Sequence, residues 1–367
     1  MRLTVVTGVS GPVGQHLLVH LGRGGAGRVV GLDVKPSPLR PPHLELIAAD
    51  VATAELDGLF TGADAVVHLA WLPVARRQAG SRVRRGGAGW PVPDGGAGAA
   101  APAAVEGTRR VLDAADRAGV RSVVHVSSAC VYGAWADNAL PLTEEAALRP
   151  NPGMIDAAHH AEAERVVADW ADSHPAAAVA VLRPATVLGT GVDTWLSRSL
   201  GGQPRLRSSR TDPARQFVHV DDVASAVALA LRERLDGVFN VAADGWIPAE
   251  VVRGLSAGGL KLAVPGRLAE LLARWAWSLH LSDVSPDLLP LTEHPWVVAN
   301  DRLRAAGWAP QHSNEDAVVA GRPGSRWREM GPSRRQQVAL AGSGAVLAAG
   351  AAGTAVAVAR ARSRRRG

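Results

Sequence analysis

Apolar positions along the first half of this chain switch repeatedly between two periods. Leu3–Thr7 is a short apolar run that leads into glycines, as expected of a strand buried on both faces. Residues 13–21 carry apolar side chains at helical spacing, and residues 28–32 read as a second strand. Residues 44–47 and 65–69 repeat the strand pattern, each closed by turn or polar residues. Residues 105–118 (VEGTRRVLDAADRA) are amphipathic, with Val105, Val111, Leu112 and Ala115 on one side. Ser122–Val126 follows as a strand, then a helix near 157–171 and a strand over 178–182. Strands and helices in this alternation predict an α/β fold built on a doubly wound parallel sheet.

Two segments break the rhythm. Residues 80–104 are rich in Gly, Ala and Pro and have no period, which predicts a mobile loop. Residues 336–359 contain no charge and are flanked by arginines. Their length suits a membrane-spanning helix. Their mostly Ala and Gly content equally suits a soluble appendage, and both readings stay open.

The 367 residues are enough for one large domain or two unequal lobes with a sizeable core. The formal net charge of +6 is carried almost entirely by arginine, scattered and clustered at the carboxy end. That pattern does not describe a phosphate track, so a nucleic-acid partner is not expected. The lone Cys130 excludes an internal disulfide and points to a reducing, cytoplasmic setting, with membrane association through 336–359 left open. The apolar run at the amino end is too short for a secretory signal. No metal-ligand spacing is present, since the adjacent His159 and His160 diverge on a helix.

The segment Thr7-Gly8-Val9-Ser10-Gly11-Pro12-Val13-Gly14 spaces three glycines between the first strand and the first helix. A dinucleotide cradle requires this. The loop must turn tightly, bring backbone N–H groups to the pyrophosphate and let the helix pack close to the sheet. Asp33 ends the next strand, where a carboxylate can take the adenosine ribose hydroxyls and repel a 2′-phosphate. NAD is therefore expected in preference to NADP, with Lys35 nearby keeping the latter from exclusion.

The chain resembles the extended short-chain dehydrogenase/reductase family, the NAD-dependent epimerases and dehydratases of nucleotide-sugars. The likeness spans roughly residues 1–317. It rests on TGVSGPVG, on Ala49-Asp50-Val51, on His68-Leu69-Ala70 and on VEGTRRVLDAA. It continues in VHVSSACVYG, LRPATVLG and QFVHVDDVASAV. The resemblance implies a Rossmann-type sheet over 1–188 with a smaller carboxy-terminal substrate lobe within 189–318. Closing Rossmann elements at about 216–244 interleave with that lobe, and a linker at 319–335 precedes the tail. It further implies that Asp50 and Val51 lie beside the adenine, that Leu69 and Ala70 run along the cofactor, and that Pro184 passes near the nicotinamide. Ser128 falls where the family keeps the hydroxyl that binds the reacting substrate oxygen. Ser10, Gly11, Pro12 and Val13 join Gly8 and Gly14 in the cradle. A small-molecule partner, a nucleotide-sugar by analogy, is implied, and a homodimer is compatible with it.

One part of that pattern is missing. The family works with a Tyr-x-x-x-Lys pair, and this chain has one tyrosine, Tyr132, and two lysines, Lys35 and Lys261. Alignment on AEAERVV (161–167) puts Asp156 at the tyrosine position and His160 at the lysine position, on one helix face. Ala104 stands where the family has an asparagine before Val105-Glu106-Gly107-Thr108. Asp156 can accept a proton but is a poor donor, whereas His160 would be expected to titrate near neutrality. Two outcomes follow: a divergent acid/base site of Ser128, Asp156 and His160, or an NAD-binding sensor or scaffold without catalysis.

Overall fold

A computed structural model describes residues 3–24, 27–35, 37, 39–69, 97–192, 206–208, 213–255, 262–264, 271, 275 and 289–321. Seven strands form one parallel sheet: β1 (Leu3–Thr7), β2 (Arg28–Asp33), β3 (Leu44–Ala48), β4 (Ala65–His68), β5 (Ser122–Val126), β6 (Ala178–Pro184) and β10 (Gly237–Val241). Their spatial order is β10-β6-β5-β4-β1-β2-β3. Three short strands, β7 (Thr186–Leu188), β8 (Leu206–Ser208) and β9 (Phe217–His219), precede β10, and β11 (Leu262–Val264) follows it. β7 pairs with β9 and β8 with β11, outside the main sheet.

The helices around the sheet are α1 (Pro12–Arg23), the single turn α2 (Asp57–Phe60), α3 (Ala97–Arg117), α4 (Ile155–Ser173) and α5 (Val220–Glu233). Successive strand residues point to opposite faces, which divides the core into two layers. Val6, Val29, Val67 and Val124 pack against Leu17, Leu18 and Leu21 of α1 and Val223 and Val227 of α5. Their neighbours Val5, Val30, Val66 and Val123 pack against Val111 and Leu112 of α3 and Val166, Val167 and Trp170 of α4. Every central strand is therefore apolar on both sides, which is why these runs show no alternation. The parallel sheet of the sequence reading is the one observed.

Some boundaries move. α3 begins at Ala97, so the last eight residues of the loop expected over 80–104 are its first turns. Alanine is the best helix former, and the run 97–104 extends the amphipathic segment rather than the loop. Residues 80–96 lie outside the described residues, as does the uncharged segment 336–359. Among the described residues no helix is long and apolar enough to cross a membrane. Asp221 and Asp222 occupy the first turn of α5, as expected of carboxylates at a helix start. Trp308 is buried with its indole N–H donated to Ser225 Oγ at 2.9 Å, a packing role. Trp296 is partly buried against the core, Trp275 is exposed, and Trp277 lies outside the described residues.

Candidate functional site

The chain leaves β1 for β2 on one side and reaches β4 on the other, so the strand order reverses between β1 and β4. In doubly wound sheets the crevice at the carboxyl ends of the strands at such a point receives the ligand. The glycine loop sits there. Gly8 adopts φ 73°, a left-handed value that glycine takes without strain, and its N–H donates to Leu32 O at 2.8 Å. A Cβ on Gly14 would lie 2.4 Å from Val9 O, so only glycine lets α1 start this close to the loop. Pro12 occupies the first helical turn, where its missing N–H costs nothing.

Asp33 closes β2 and is buried. Its Oδ2 accepts the Ser10 N–H at 3.0 Å and its Oδ1 accepts the Lys35 N–H at 3.0 Å. The carboxylate is thus held at the mouth of the loop, with lone pairs to spare for a diol. Ser10 Oγ donates to Lys35 O at 2.8 Å, fastening the loop to the end of β2 from the other side. Asp50 caps its own turn, its Oδ1 accepting the Ala52 N–H at 2.9 Å. Val51 is buried, and its carbonyl accepts from Arg110 Nε at 3.1 Å. Leu69 follows β4 and Pro184 ends β6; Ala70 lies outside the described residues. No three His, Cys, Asp or Glu groups among the described residues are placed to hold a metal ion.

Ser128 caps a 3-10 turn, Ala129–Tyr132, its Oγ accepting the Cys130 N–H at 3.3 Å. That turn packs against α4. Burial pushes the Cys130 thiol up to about 12, and the Asp156 charge adds to the rise, so Asp156 lies within electrostatic reach of the Ser128 turn. Asp156 occupies the first turn of α4 and is half-buried. His160, one turn on, is buried, and burial pushes it down to about 3. Titration near neutrality is therefore not what its surroundings dictate: the ring is neutral at pH 7.

Tyr132 belongs to a buried hydrogen-bond network. It is buried, its OH donates to Asn240 Oδ1 at 2.9 Å and accepts from Arg183 Nη1 at 2.7 Å. Burial raises its pKa. The network continues through Arg183 to Glu164, which also accepts Ser127 Oγ–H at 2.5 Å.

Three further residues bear on the site; His68 and Glu164 lie within the quoted motifs without a role of their own there, and Gly31 lies outside them. Gly31 of β2 has no room for a side chain, because a Cβ would lie 2.8 Å from Val9 Cγ1 and 2.9 Å from Leu44 Cδ1. His68 Nδ1 lies 2.7 Å from Thr7 Oγ1, joining the ends of β4 and β1 at the crevice. Glu164 anchors α4 through Arg183. A lone polar residue inside an apolar run, as His68 is in AVVH, was the signal available for the second.

The sequence profile of the NAD dependent epimerase/dehydratase family matches residues 4–83 and 88–242. The uncharacterized protein y4nG of Sinorhizobium fredii is 26% identical over 340 residues, covering 87% of this chain and 77% of that one. The 3-diazoavenalumate denitrifying reductase of a Streptomyces species is 30% identical over 224 residues, 56% of this chain and 66% of that one. Among solved structures, MoeE5 in complex with UDP-glucuronic acid and NAD superposes with a TM-score of 0.62. It is 23% identical, and the match covers 86% of this chain and 96% of MoeE5, a likeness of fold.

Proposed function

We propose, for a chain that belongs to the NAD dependent epimerase/dehydratase family, that it binds NAD and carries out hydride transfer on a nucleotide-sugar or related polyol. Its acid/base site is rebuilt around Asp156. The observation that carries this reading is the Asp33 carboxylate, held by Ser10 and Lys35 N–H at the mouth of a loop whose Gly14 tolerates no side chain. Those residues fit a dinucleotide: backbone N–H groups at the α1 start for the pyrophosphate, Asp33 for the adenosine ribose. The substrate class is supported by the nucleotide-sugar bound to MoeE5.

NAD, when bound, supplies a hydride acceptor or donor. This chain's residues do the rest. Ser128 Oγ accepts the Cys130 N–H, which leaves its own hydrogen for a substrate oxygen and orients the reacting hydroxyl. The Asp156 carboxylate accepts the hydroxyl proton as the alcohol becomes a carbonyl. His160 is neutral and brings no positive charge to the position of the family's lysine. A carboxylate returns a proton poorly at pH 7, so the site favours oxidation over steps that need a proton back.

The test is turnover of NAD⁺ against a panel of nucleotide-sugars and polyols, with a diazo-bearing aromatic acid and NADH added because of the reductase relative. Ser128→Ala and Asp156→Asn are expected to abolish turnover while NAD binding persists. A second reading, an NAD-binding sensor without catalysis, is favoured by the commitment of Tyr132 to Asn240 and Arg183 and by the neutral His160. NAD binding with no turnover across the panel would select it.

A further inference from the structure

A cavity of about 220 Å³ lies between the sheet and helices α1 and α5, at the amino ends of the strands and so at the opposite end from the glycine loop. Its floor is one register row of the sheet: Thr4 of β1, Ala65 of β4 and Ser122 of β5. These residues alternate with Val5, Val66 and Val123 of the other layer, so they face α1 and α5. The next row on the same face carries Val6, Val67 and Val124, which fill the space that the smaller Ala65 and Ser122 leave open. Leu21 of α1 and Ala228 and Leu231 of α5 supply apolar walls.

Three arginines line the same cavity: Arg121 just before β5, and Arg232 and Arg234 at the end of α5. The Arg121 and Arg232 side chains are 68% and 64% exposed, which puts them at the opening. Arg232 Nε donates to Glu233 Oε1 at 2.8 Å. The lining holds one carboxylate, Asp64, whose Oδ2 accepts the Leu3 N–H at 3.0 Å and whose Oδ1 lies 3.8 Å from Arg121 Nη2. His20, also in the lining, has its Nε2 3.1 Å from Asp221 Oδ1. Arg234 is set apart by its backbone. Among the described residues it alone, glycines aside, has a left-handed φ, 51°, and it caps the carboxyl end of α5, where glycine is the ordinary occupant. Arginine there bears a steric cost that glycine would not, and Arg232 already supplies positive charge to the last turn of the helix. Arg234 Nη2 donates to Arg121 O at 2.8 Å, which fixes the guanidinium and leaves the rest of its N–H groups for a further acceptor.

We propose that this cavity is a binding site for a small organic carboxylate, with the carboxylate on the Arg234 guanidinium and the apolar body against Leu21, Ala228 and Leu231. A dry cavity of about 150 Å³ takes up benzene, so this one has room for a single aromatic or short aliphatic body. Sites for small molecules are mostly apolar with a few fixed polar groups, which is the division here between the helix walls and the arginines. The planar fork of a guanidinium meets a carboxylate with two parallel hydrogen bonds, and the Arg121 carbonyl already holds this fork in place. Inorganic phosphate would leave the apolar walls unfilled. None of these residues belongs to the glycine loop or the Ser128 turn, so the site stands independently of the NAD reading.

The experiment is a saturation-transfer NMR titration of the full chain with benzoate. Benzyl alcohol serves as the same body without the charge, and inorganic phosphate competes as the charge without the body. Benzoate is expected to bind the parent with a dissociation constant of about 1 mM, and benzyl alcohol about tenfold more weakly. Arg234→Gly removes the guanidinium and takes the left-handed backbone without strain, so the fold is kept while benzoate binding is expected to weaken about tenfold. Ala228→Leu fills the cavity from α5 and is expected to abolish binding up to about 10 mM. No benzoate binding to the parent overturns the proposal. Undiminished binding in either variant overturns it as well and puts benzoate elsewhere on the protein. Equal affinity for benzyl alcohol, or displacement of benzoate by phosphate at equal concentration, overturns the ligand class. Either variant decides alone should the other not fold.

Discussion

Arg183 and Glu164 form a buried ion pair that ties β6 to α4. Arg183 Nε lies 3.1 and 3.0 Å from the two carboxylate oxygens and Nη2 lies 2.5 Å from Oε2, with both side chains at about one-twentieth exposure. Because α4 carries Asp156 and His160, this pair sets where the first turns of that helix stand relative to the Ser128 turn. Glu164→Ala leaves a guanidinium unpaired in the interior and is expected to cost about 3–5 kcal/mol. The apolar double change E164L/R183M is expected to cost much less, since no charge is stranded. Urea unfolding of the two variants checks this, and equal losses would refute it.

Gly14→Ala places a carbon 2.4 Å from the Val9 carbonyl, a backbone atom that cannot move aside cheaply. The helix start and the loop must part, and NAD binding is expected to fall by about a hundredfold or more. Gly31→Ala, which meets only the side chains of Val9 and Leu44, is expected to lower stability by about 1–3 kcal/mol with a smaller effect on affinity. Calorimetry and urea melts of the pair separate the two effects.

Asp33→Asn removes the negative charge beside the ribose site and one of the acceptors holding Ser10 and Lys35. NAD affinity is expected to drop about tenfold or more, and the preference for NAD over NADP to shrink because the 2′-phosphate is no longer repelled. Parallel titrations with the two cofactors give the ratio. An unchanged ratio would remove Asp33 from the ribose site.

The three buried imidazoles make stability depend on pH. Burial pushes His68 down to about 4, His160 down to about 3 and His125 well below its ordinary value. Below about 6.5 the unfolded chain takes up protons at these rings while the folded chain does not. Their neutral state is fully compatible with folding above that pH, and stability falls as pH drops from 6.5 toward 4. Each ring contributes about 1 kcal/mol per pH unit in that window. Urea midpoints at pH 7, 6 and 5 should decline more steeply for the parent than for His160→Leu.

Tyr132→Phe tests whether the single tyrosine belongs to the fold or to the chemistry. Its hydroxyl bridges Asn240 and Arg183, so removal is expected to cost about 1–3 kcal/mol. NAD affinity and any turnover are expected to remain at parental levels. Loss of turnover with stability intact would place the phenol in the site.

The sequence determined the parallel sheet, its two-sided core and the glycine loop. These depend on local periodicity and on residues close together in the chain: Leu3–Thr7 and Ser122–Val126 stand as strands with the ends their apolar runs predict. Ser10 and Asp33, 23 positions apart, likewise close on each other in a pattern that spacing alone indicates. The start of α3 was not legible, because an Ala/Gly/Pro-rich run fits a loop and a helix equally until α3 packs against α4. Only the tertiary structure decided the protonation of His160, since desolvation is a property of the surroundings and not of the residue type. The same holds for Tyr132, committed to Asn240 a hundred residues away, and for His125, whose unmet nitrogens appear only once β4, β5 and α4 enclose it. Hydrogen-bond satisfaction and burial are sums over neighbours from the whole chain, and no local pattern carries them.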